Sequence, residues 1–313
     1  MRMLLPVSWF LMAVVWLRRK CYQTGVFVTW RASVPVIVVG NITLGGTGKT
    51  PVVLWLVEFL KSQGFHPGII SRGYGGDALV TMAVISSSQA SIVGDEPLLL
   101  ARRAACPVWI GRNRPAAARA LLAANPECNV LVSDDGLQHY ALARDVEIVV
   151  VDGRRRFGNG ALLPAGPLRE TLRRVSDADA VVINGGLADP VRQEYAMTLR
   201  GDQFHRLNAD AETAMATDFK GQCLHAIAGI GDPVRFFNHL RALGLEVINH
   251  AFPDHHRFAA EDLQIDHADA ILMTEKDAVK CREFAASKAW YLPVKAVISG
   301  GLGEKVLQKI KGF

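Results

Sequence analysis

Short, continuous apolar runs rich in valine and isoleucine recur along the chain and alternate with helical stretches. The runs "VPVIVV" (34–39), "GII" (68–70), "PVWI" (107–110), "NVLVSDDG" (129–136), "VEIVVVDG" (146–153) and "ADAVVINGG" (178–186) read as strands. A helix is expected from about Lys49 to Gln63, and an Ala- and Arg-rich one from near Pro115. Strands that are apolar throughout, separated by helices, predict an α/β fold with a mostly parallel sheet covered by helices on both faces. Ligands of such sheets gather at the C-terminal strand ends, where this chain places its glycines and acids.

The pattern weakens and turns polar over 197–219, which reads as a linker between a core over 21–196 and a smaller α/β domain over 220–313. The second series comprises "CLHAIAGIGDP", a helix over 233–243, "EVINHAFPDHH", a helix near 260, and "DAILMTEKDAVK". Ahead of the core, "MLLPVSWFLMAVVWL" carries no charge and two tryptophans, and Arg18, Arg19 and Lys20 follow it. Fifteen helical residues reach ~22 Å, short of the ~30 Å of a hydrocarbon core, so a clean span is disfavoured. A signal peptide would put its charges before the apolar run and a small-residue cleavage site after it. A terminal Trp pair with a basic flank instead suits a membrane-associating helix over 1–20 that lies in the interface, its basic side in the cytoplasm.

Composition narrows the classes. Of 313 residues half are hydrophobic and 21% are charged, enough apolar content for a packed core. The net charge of +5 suits an anionic small molecule or membrane surface, and without a basic tract interleaved with aromatics nucleic acid is not an expected partner. Five cysteines, scattered and never in a CxxC pair, argue against a disulfide framework or a zinc site.

The chemistry concentrates after the first strand. In "NITLGGTGKTP" the residues Gly48, Lys49 and Thr50 match the end of G-x-x-x-x-G-K-[ST], while Thr43 stands where that pattern opens with glycine. Gly45, Gly46 and Thr47 supply the tight turn whose N–H groups face a phosphate chain. Lys49 would reach the β- and γ-phosphates, and Thr50 would ligate magnesium. Such a P-loop NTPase-like cradle needs an acid at a neighbouring strand end. The pair Asp134–Asp135 in "SDDGLQHY" is favoured over Asp152, because a lone strand-terminal aspartate is commonly a cap. His139 either orients a phosphate or packs. Asp95 in "VGDEP" either caps the following helix or takes a proton from an attacking hydroxyl. "FPDHHRF" offers His255 and His256, which as neighbours point in different directions. "TEKDAVK" has its lysine and aspartate adjacent, unlike a base-reading NKxD, and Thr274 with Asp277 reads as a capping box.

These stretches together resemble the tetraacyldisaccharide 4'-kinase family, the lipid A 4'-kinases. The matching segments are the apolar N-terminus, "VGNITLGGTGKTP", "ISRGYGG", "VGDEP", "SDDGLQH", "RRFGNGALLPAGPLRE", "GIGDP", "FPDHH" and "TEKDAVK", in family order over nearly the whole chain. The resemblance implies a kinase on the cytoplasmic face of the bacterial inner membrane. It would transfer the ATP γ-phosphate, with Mg²⁺, to the 4'-hydroxyl of tetraacyldisaccharide 1-phosphate, giving lipid IVA, and would act as a monomer. It further implies that Asp134, Asp135 and His139 form the catalytic centre with Lys49. Asp95 would be the base, assisted by His255 rather than His256, and Glu170 and Arg114 would lie near the metal or nucleotide. Arg72 of "SRGYGG" is a weaker assignment. The family shares "GGTGKT", so the Thr43 departure is expected. The rival readings are a P-loop switch or metallochaperone, which would want His/Cys-rich loops and a guanine-reading motif, and a non-catalytic nucleotide-binding scaffold, which would not need Asp95 or the DHH segment.

Overall fold

The computed structural model describes residues 4–189, 193–284 and 287–312. Strands β1 (Val36–Gly40), β2 (Pro67–Ser71), β3 (Met82–Val84), β4 (Val108–Ile110), β5 (Val130–Asp134), β6 (Val146–Asp152), β7 (Ala180–Asn184) and β8 (Glu194–Arg200) belong to one sheet. Strands β9 (Gln203–Arg206), β10 (Ala209–Met215), β11 (Leu224–Ala228), β12 (Val247–Ala251), β13 (Ala270–Thr274) and β14 (Ala289–Leu292) form a second, before β15 (Lys295–Ile298) returns to the first. The order in the nine-stranded sheet is β15-β8-β7-β6-β1-β5-β2-β4-β3. Its strands run parallel except at the two edges, where β3 and β15 are antiparallel. β1 is central, and the connections leave it in both directions, so a crevice opens at its C-terminal end.

Helices cover both faces because the central strands are apolar on both. α2 (Lys49–Ser62), α4 (Asp95–Arg103), preceded by the short α3 (Ala90–Val93), and α9 (Leu302–Ile310) bury Leu56, Leu98 and Val306 on one face. α5 (Arg114–Ala124) and the short α6 (Arg173–Ser176) cover the other, where Ala118 and Leu121 pack on Val38 and Val149. The six-stranded sheet, ordered β10-β9-β14-β13-β11-β12, is flanked by α7 (Pro233–Ala242), which inserts Phe236 and Phe237, and by α8 (Glu275–Cys281).

The expected linker over 197–219 is a correction. That stretch completes β8 and supplies β9, β10 and a 3-10 turn at Ala216–Phe219. Its polarity reflects edge strands: in β10 only Ala214 is buried, while Asp210 and Glu212 face outward. The 220–313 boundary also moves, because β9 and β10 join the second sheet while β15 and α9 pack on the first. The helix expected near 260 is a single 3-10 turn, Ala260–Leu263.

The N-terminal helix α1 runs Leu5–Gln23, beyond the expected end at residue 20. Its first half is held where Ser8 Oγ donates to the Leu162 carbonyl at 2.9 Å and accepts from Ala165 N–H at 3.1 Å, and its last turns by Arg19, which donates to Asp177 at 2.8 Å, and by Tyr22 against Tyr140. Around this contact it stays uncovered: Trp9 is 61% exposed, Phe10 68% and Trp16 59%. Among the described residues no helix is long and apolar enough to cross a membrane.

Candidate active site

The glycine turn follows β1 directly. Gly45 and Gly48 have φ of 87° and 89°, values open to glycine, and Gly48 precedes the first turn of α2 with no side-chain cap. The helix's first N–H groups are therefore left for an anion. Asn41 holds the turn by donating to the Thr43 carbonyl at 2.9 Å, and Asn184 does so by donating to the Thr47 carbonyl at the same distance. Thr43 is buried and paired with Leu168, and Arg169 N–H donates to the Ile42 carbonyl. "LLPAGPLRE" thus braces the cradle on one side and receives Ser8 of α1 on the other. Its Leu163–Pro164 bond is cis.

Asp134 ends β5 next to β1, and Lys49 Nζ reaches Asp135 Oδ1 at 3.4 Å and Asn41 Oδ1 at 3.5 Å. Burial, with Glu96 and Asp135 adding to it, pushes the Asp134 carboxyl up to about 7. Ser71 Oγ donates to its Oδ2 at 3.2 Å, while Oδ1 is buried without a partner. Burial opposes ionisation of Asp135 too, but Lys49 and Arg169 hold it below the usual range. A buried carboxylate with an open oxygen beside a second carboxylate fits a divalent cation. Among the described residues no three of His, Cys, Asp and Glu form a ready cluster, so phosphate and water would complete the shell.

Three expected site residues occupy tighter surroundings than their sequence context suggested. Arg114 is buried, donating to the carbonyls of Gly111 at 2.9 Å and Asp134 at 3.0 Å, so it fixes the backbone of the acid pair. Burial lowers its pKa to about 10. Glu170 accepts from Gln138 Nε2 at 2.7 Å and from the Tyr140 hydroxyl, and Arg174 Nε lies at 3.7 Å. It therefore ties down the "GLQHY" loop, and only exchange of those partners would free it for a metal. His139 is held neutral at about 3 by burial, with Arg114 and Arg72 beside it. Arg72 is exposed and unpaired among the described residues.

Asp95 and His255 come together from 160 residues apart. His255 Nδ1 lies 3.0 Å from Asp95 Oδ2 and 3.2 Å from Oδ1. The residue before α4 is Gly94 at φ 90°, and Asp95 opens the helix, its carboxylate accepting from the Glu96 N–H at 2.8 Å while also meeting the imidazole. The bond to Asp95 raises the His255 pKa above 6.5, against burial and Lys276. Burial opposes the Asp95 charge, but His255 and Lys276 keep it below its ordinary value. Tyr74 of the "SRGYGG" loop meets the His255 ring edge-on at 5.2 Å. His255 at φ 60° and Asp135 at φ 48° are held in left-handed backbone, costing about 1–3 kcal/mol each, a strain that concentrates at functional sites. His256 is structural: it stacks on Phe252 and pairs with Asp262 at 3.0 Å.

Sequence reasoning missed Lys276. Its Nζ lies 2.9 Å from Glu96, 3.5 Å from Asp254 and 3.7 Å from Asp95, so one cation serves three carboxylates. "TEKDAVK" does form a cap, Asp277 N–H donating to Thr274 Oγ1 at 3.1 Å, but Asp277 also accepts from Gly229 N–H at 3.0 Å. It missed Gly231 of "GIGDP" too, where a Cβ would lie 2.4 Å from Gly46 N and 3.2 Å from Asp254 Oδ2. The second sheet thus lays a backbone turn on the cradle and brings the DHH segment beside it.

A glycine cradle ending the central strand of a parallel sheet, with an acid pair on the next strand, defines a P-loop protein. Residues 1–311 match the model of one family, tetraacyldisaccharide-1-P 4'-kinase (LpxK). Curated relatives named tetraacyldisaccharide 4'-kinase include those of Methylobacillus flagellatus, 51% identical over 97% of this chain and 90% of that protein, and of an Azoarcus species, 51% over 99% and 92%. Among solved structures, LpxK from Aquifex aeolicus in complex with ATP superposes with a TM-score of 0.82 at 27% identity, covering 99% of both chains. The chain belongs to the tetraacyldisaccharide 4'-kinase family.

Proposed function

We propose that the protein transfers the γ-phosphate of ATP to the 4'-hydroxyl of tetraacyldisaccharide 1-phosphate, forming lipid IVA at a membrane surface. The observation that carries the reaction type is the Asp95–His255 pair, set beside a phosphate cradle by two different sheets. Lys49 and the N–H groups of residues 45–50 bind the β- and γ-phosphates and stabilise charge as the terminal phosphoryl departs. Asp95 accepts the proton of the 4'-hydroxyl as its oxygen bonds to the γ-phosphorus, and His255 shares that proton while ADP leaves. Thr50, Asp134 and Asp135 would hold Mg²⁺, which when bound neutralises phosphate charge. His139, neutral, can donate or accept one hydrogen bond at the site without adding charge.

The acceptor is a lipid, and α1 offers it a docking surface. The tryptophan-bearing face lies in the interface of the inner membrane, on its cytoplasmic side, as a peripheral or monotopic element of a monomer. The link from Ser8 through residues 162–170 to the cradle sets the phosphate site at a defined height over that surface. The testing assay supplies ATP, Mg²⁺ and tetraacyldisaccharide 1-phosphate in detergent or vesicles and scores new phosphate at the 4'-position. Phosphate release to water without sugar phosphorylation would favour the switch reading.

A further inference from the structure

Arg155 and Arg235 meet at one carboxylate beside the phosphate cradle. Arg155 Nη2 donates to the Gly46 carbonyl at 2.8 Å, and a Cβ on Gly45 would lie 3.0 Å from Arg155 Nη1. The guanidinium therefore lies along the glycine turn, half-exposed at its outer edge. Behind it stands Asp152, a buried aspartate at the end of β6. Its Oδ1 accepts from the N–H groups of Arg154 and Arg155 at 2.9 and 3.0 Å. Its Oδ2 is shared unequally: Arg235 Nη2 of α7 donates at 2.8 Å and Arg155 Nη2 at 3.4 Å. Arg235 also faces Asp232 at 3.6 Å. The carboxylate is thus engaged mainly by an arginine of the second sheet, and the arginine on the cradle is left with a weaker partner.

We propose that Arg155 is a second phosphate-binding cation of the cradle, released for that task when Arg235 takes over Asp152 as the second sheet closes. The proposal rests on the P-loop reading and adds a residue and a trigger to it. With α7 withdrawn, Asp152 and Arg155 pair with each other, and the guanidinium is neutralised beside an accessible cradle. With α7 docked, Gly231 lies against Gly46 and Arg235 satisfies Asp152, so the Arg155 charge is left free to face the phosphates. An arginine there stabilises charge spread over the transferring phosphoryl oxygens, beyond what Lys49 supplies as a point charge. The same three charged groups thereby tie full positive charge at the cradle to the closed arrangement, which also delivers His255.

The experiment uses the full-length protein with saturating ATP and acceptor in detergent, and compares kcat, KM for ATP and ATP affinity for five variants. Arg155→Ala should lower kcat at least 10²-fold, and Arg155→Lys should recover only part of it. Arg235→Ala should lower kcat by about 10-fold, with ATP affinity nearly unchanged because the open cradle is intact. The decisive variant is Arg235→Ala combined with Asp152→Asn. The amide keeps an acceptor for the Arg154 and Arg155 N–H groups but removes the competing charge, so kcat should rise above that of Arg235→Ala alone. A double variant as slow as or slower than Arg235→Ala would overturn the handover and leave the network structural. Wild-type turnover in Arg155→Ala would overturn the phosphate role. Lys49→Ala, run in parallel, separates the two levels: if it too turns over normally the P-loop reading fails, and if it alone is inactive only the Arg155 role falls.

Discussion

His255 Nδ1 lies 3.0 Å from Asp95 Oδ2, although one residue follows β12 of the second sheet and the other opens α4 of the first. The pair exists only while the two sheets are apposed, so if it is the base, as proposed, proton removal requires that apposition. Asp95→Ala and His255→Ala should each cost ~10²–10⁴-fold in single-turnover rate, the range for lost general-base catalysis. The double variant should be little slower than the slower single, because groups acting as a unit are not additive. Fully multiplicative losses would dissolve the pair. His256→Ala serves as control and should lower Tm rather than rate, since it removes a ring stacked on Phe252.

The pH profile should carry the signature of His255. The pair accepts a proton only with the imidazole neutral, and the bond to Asp95 raises the His255 pKa above 6.5. Turnover should therefore be full at alkaline pH and fall as pH drops through that raised value. Lys276 lowers it, so Lys276→Met should move the limb to still higher pH. A limb that stays put or moves toward acid in a folded Lys276→Met protein would separate the rate from this imidazole. His255→Gln should abolish the limb.

Lys49→Ala should lower kcat severely with Tm nearly unchanged, since Lys49 Nζ makes only long contacts to Asp135 and Asn41. Near-normal turnover in the folded variant would remove the cradle from the mechanism.

Replacing Trp9, Phe10 and Trp16 with serine should reduce binding to anionic vesicles while the fold survives, because these side chains are exposed. Deleting residues 1–20 should weaken binding further and also lose Ser8, a partner of the segment bracing the cradle. High salt alone should release the intact protein poorly, since apolar burial contributes alongside charge. Complete release by salt would show that the apolar face does not insert.

How far the chain could be read in advance follows from which interactions are local. The parallel strands β1, β5, β6 and β7 were legible because burial on both faces makes each a continuous apolar run. β9 and β10 were not: only Phe204 of β9 and Ala214 of β10 are buried, and their partners are each other and the distant β14. Asp95 and His255 could each be picked out by chemistry, but in the residues themselves the cap and the base looked alike until the fold brought the imidazole across. Lys276 lay beside acids of its own helix, in a stretch read as the capping box of Thr274 and Asp277, whereas the carboxylates it serves come from elsewhere. Arg155 sat in a run of three arginines, where a solvated charge is the ordinary expectation.

The return of β15 and α9 to the first sheet has a consequence for synthesis. The chain leaves the nine-stranded sheet after β8 and rejoins it only at Lys295, where Gly201 and Pro293 are so close that a Cβ on Gly201 would lie 2.3 Å from the Pro293 carbonyl oxygen. The six-stranded body can fold as a closed loop on the ribosome, with both its ends in hand. The nucleotide-binding body waits for β15 and α9, because α9 seats Gly303 on Phe59 of α2, the helix that opens with Lys49. A chain without α9 should therefore carry an unfinished ATP site, because the helix that bears Lys49 would lose the surface against which Phe59 packs.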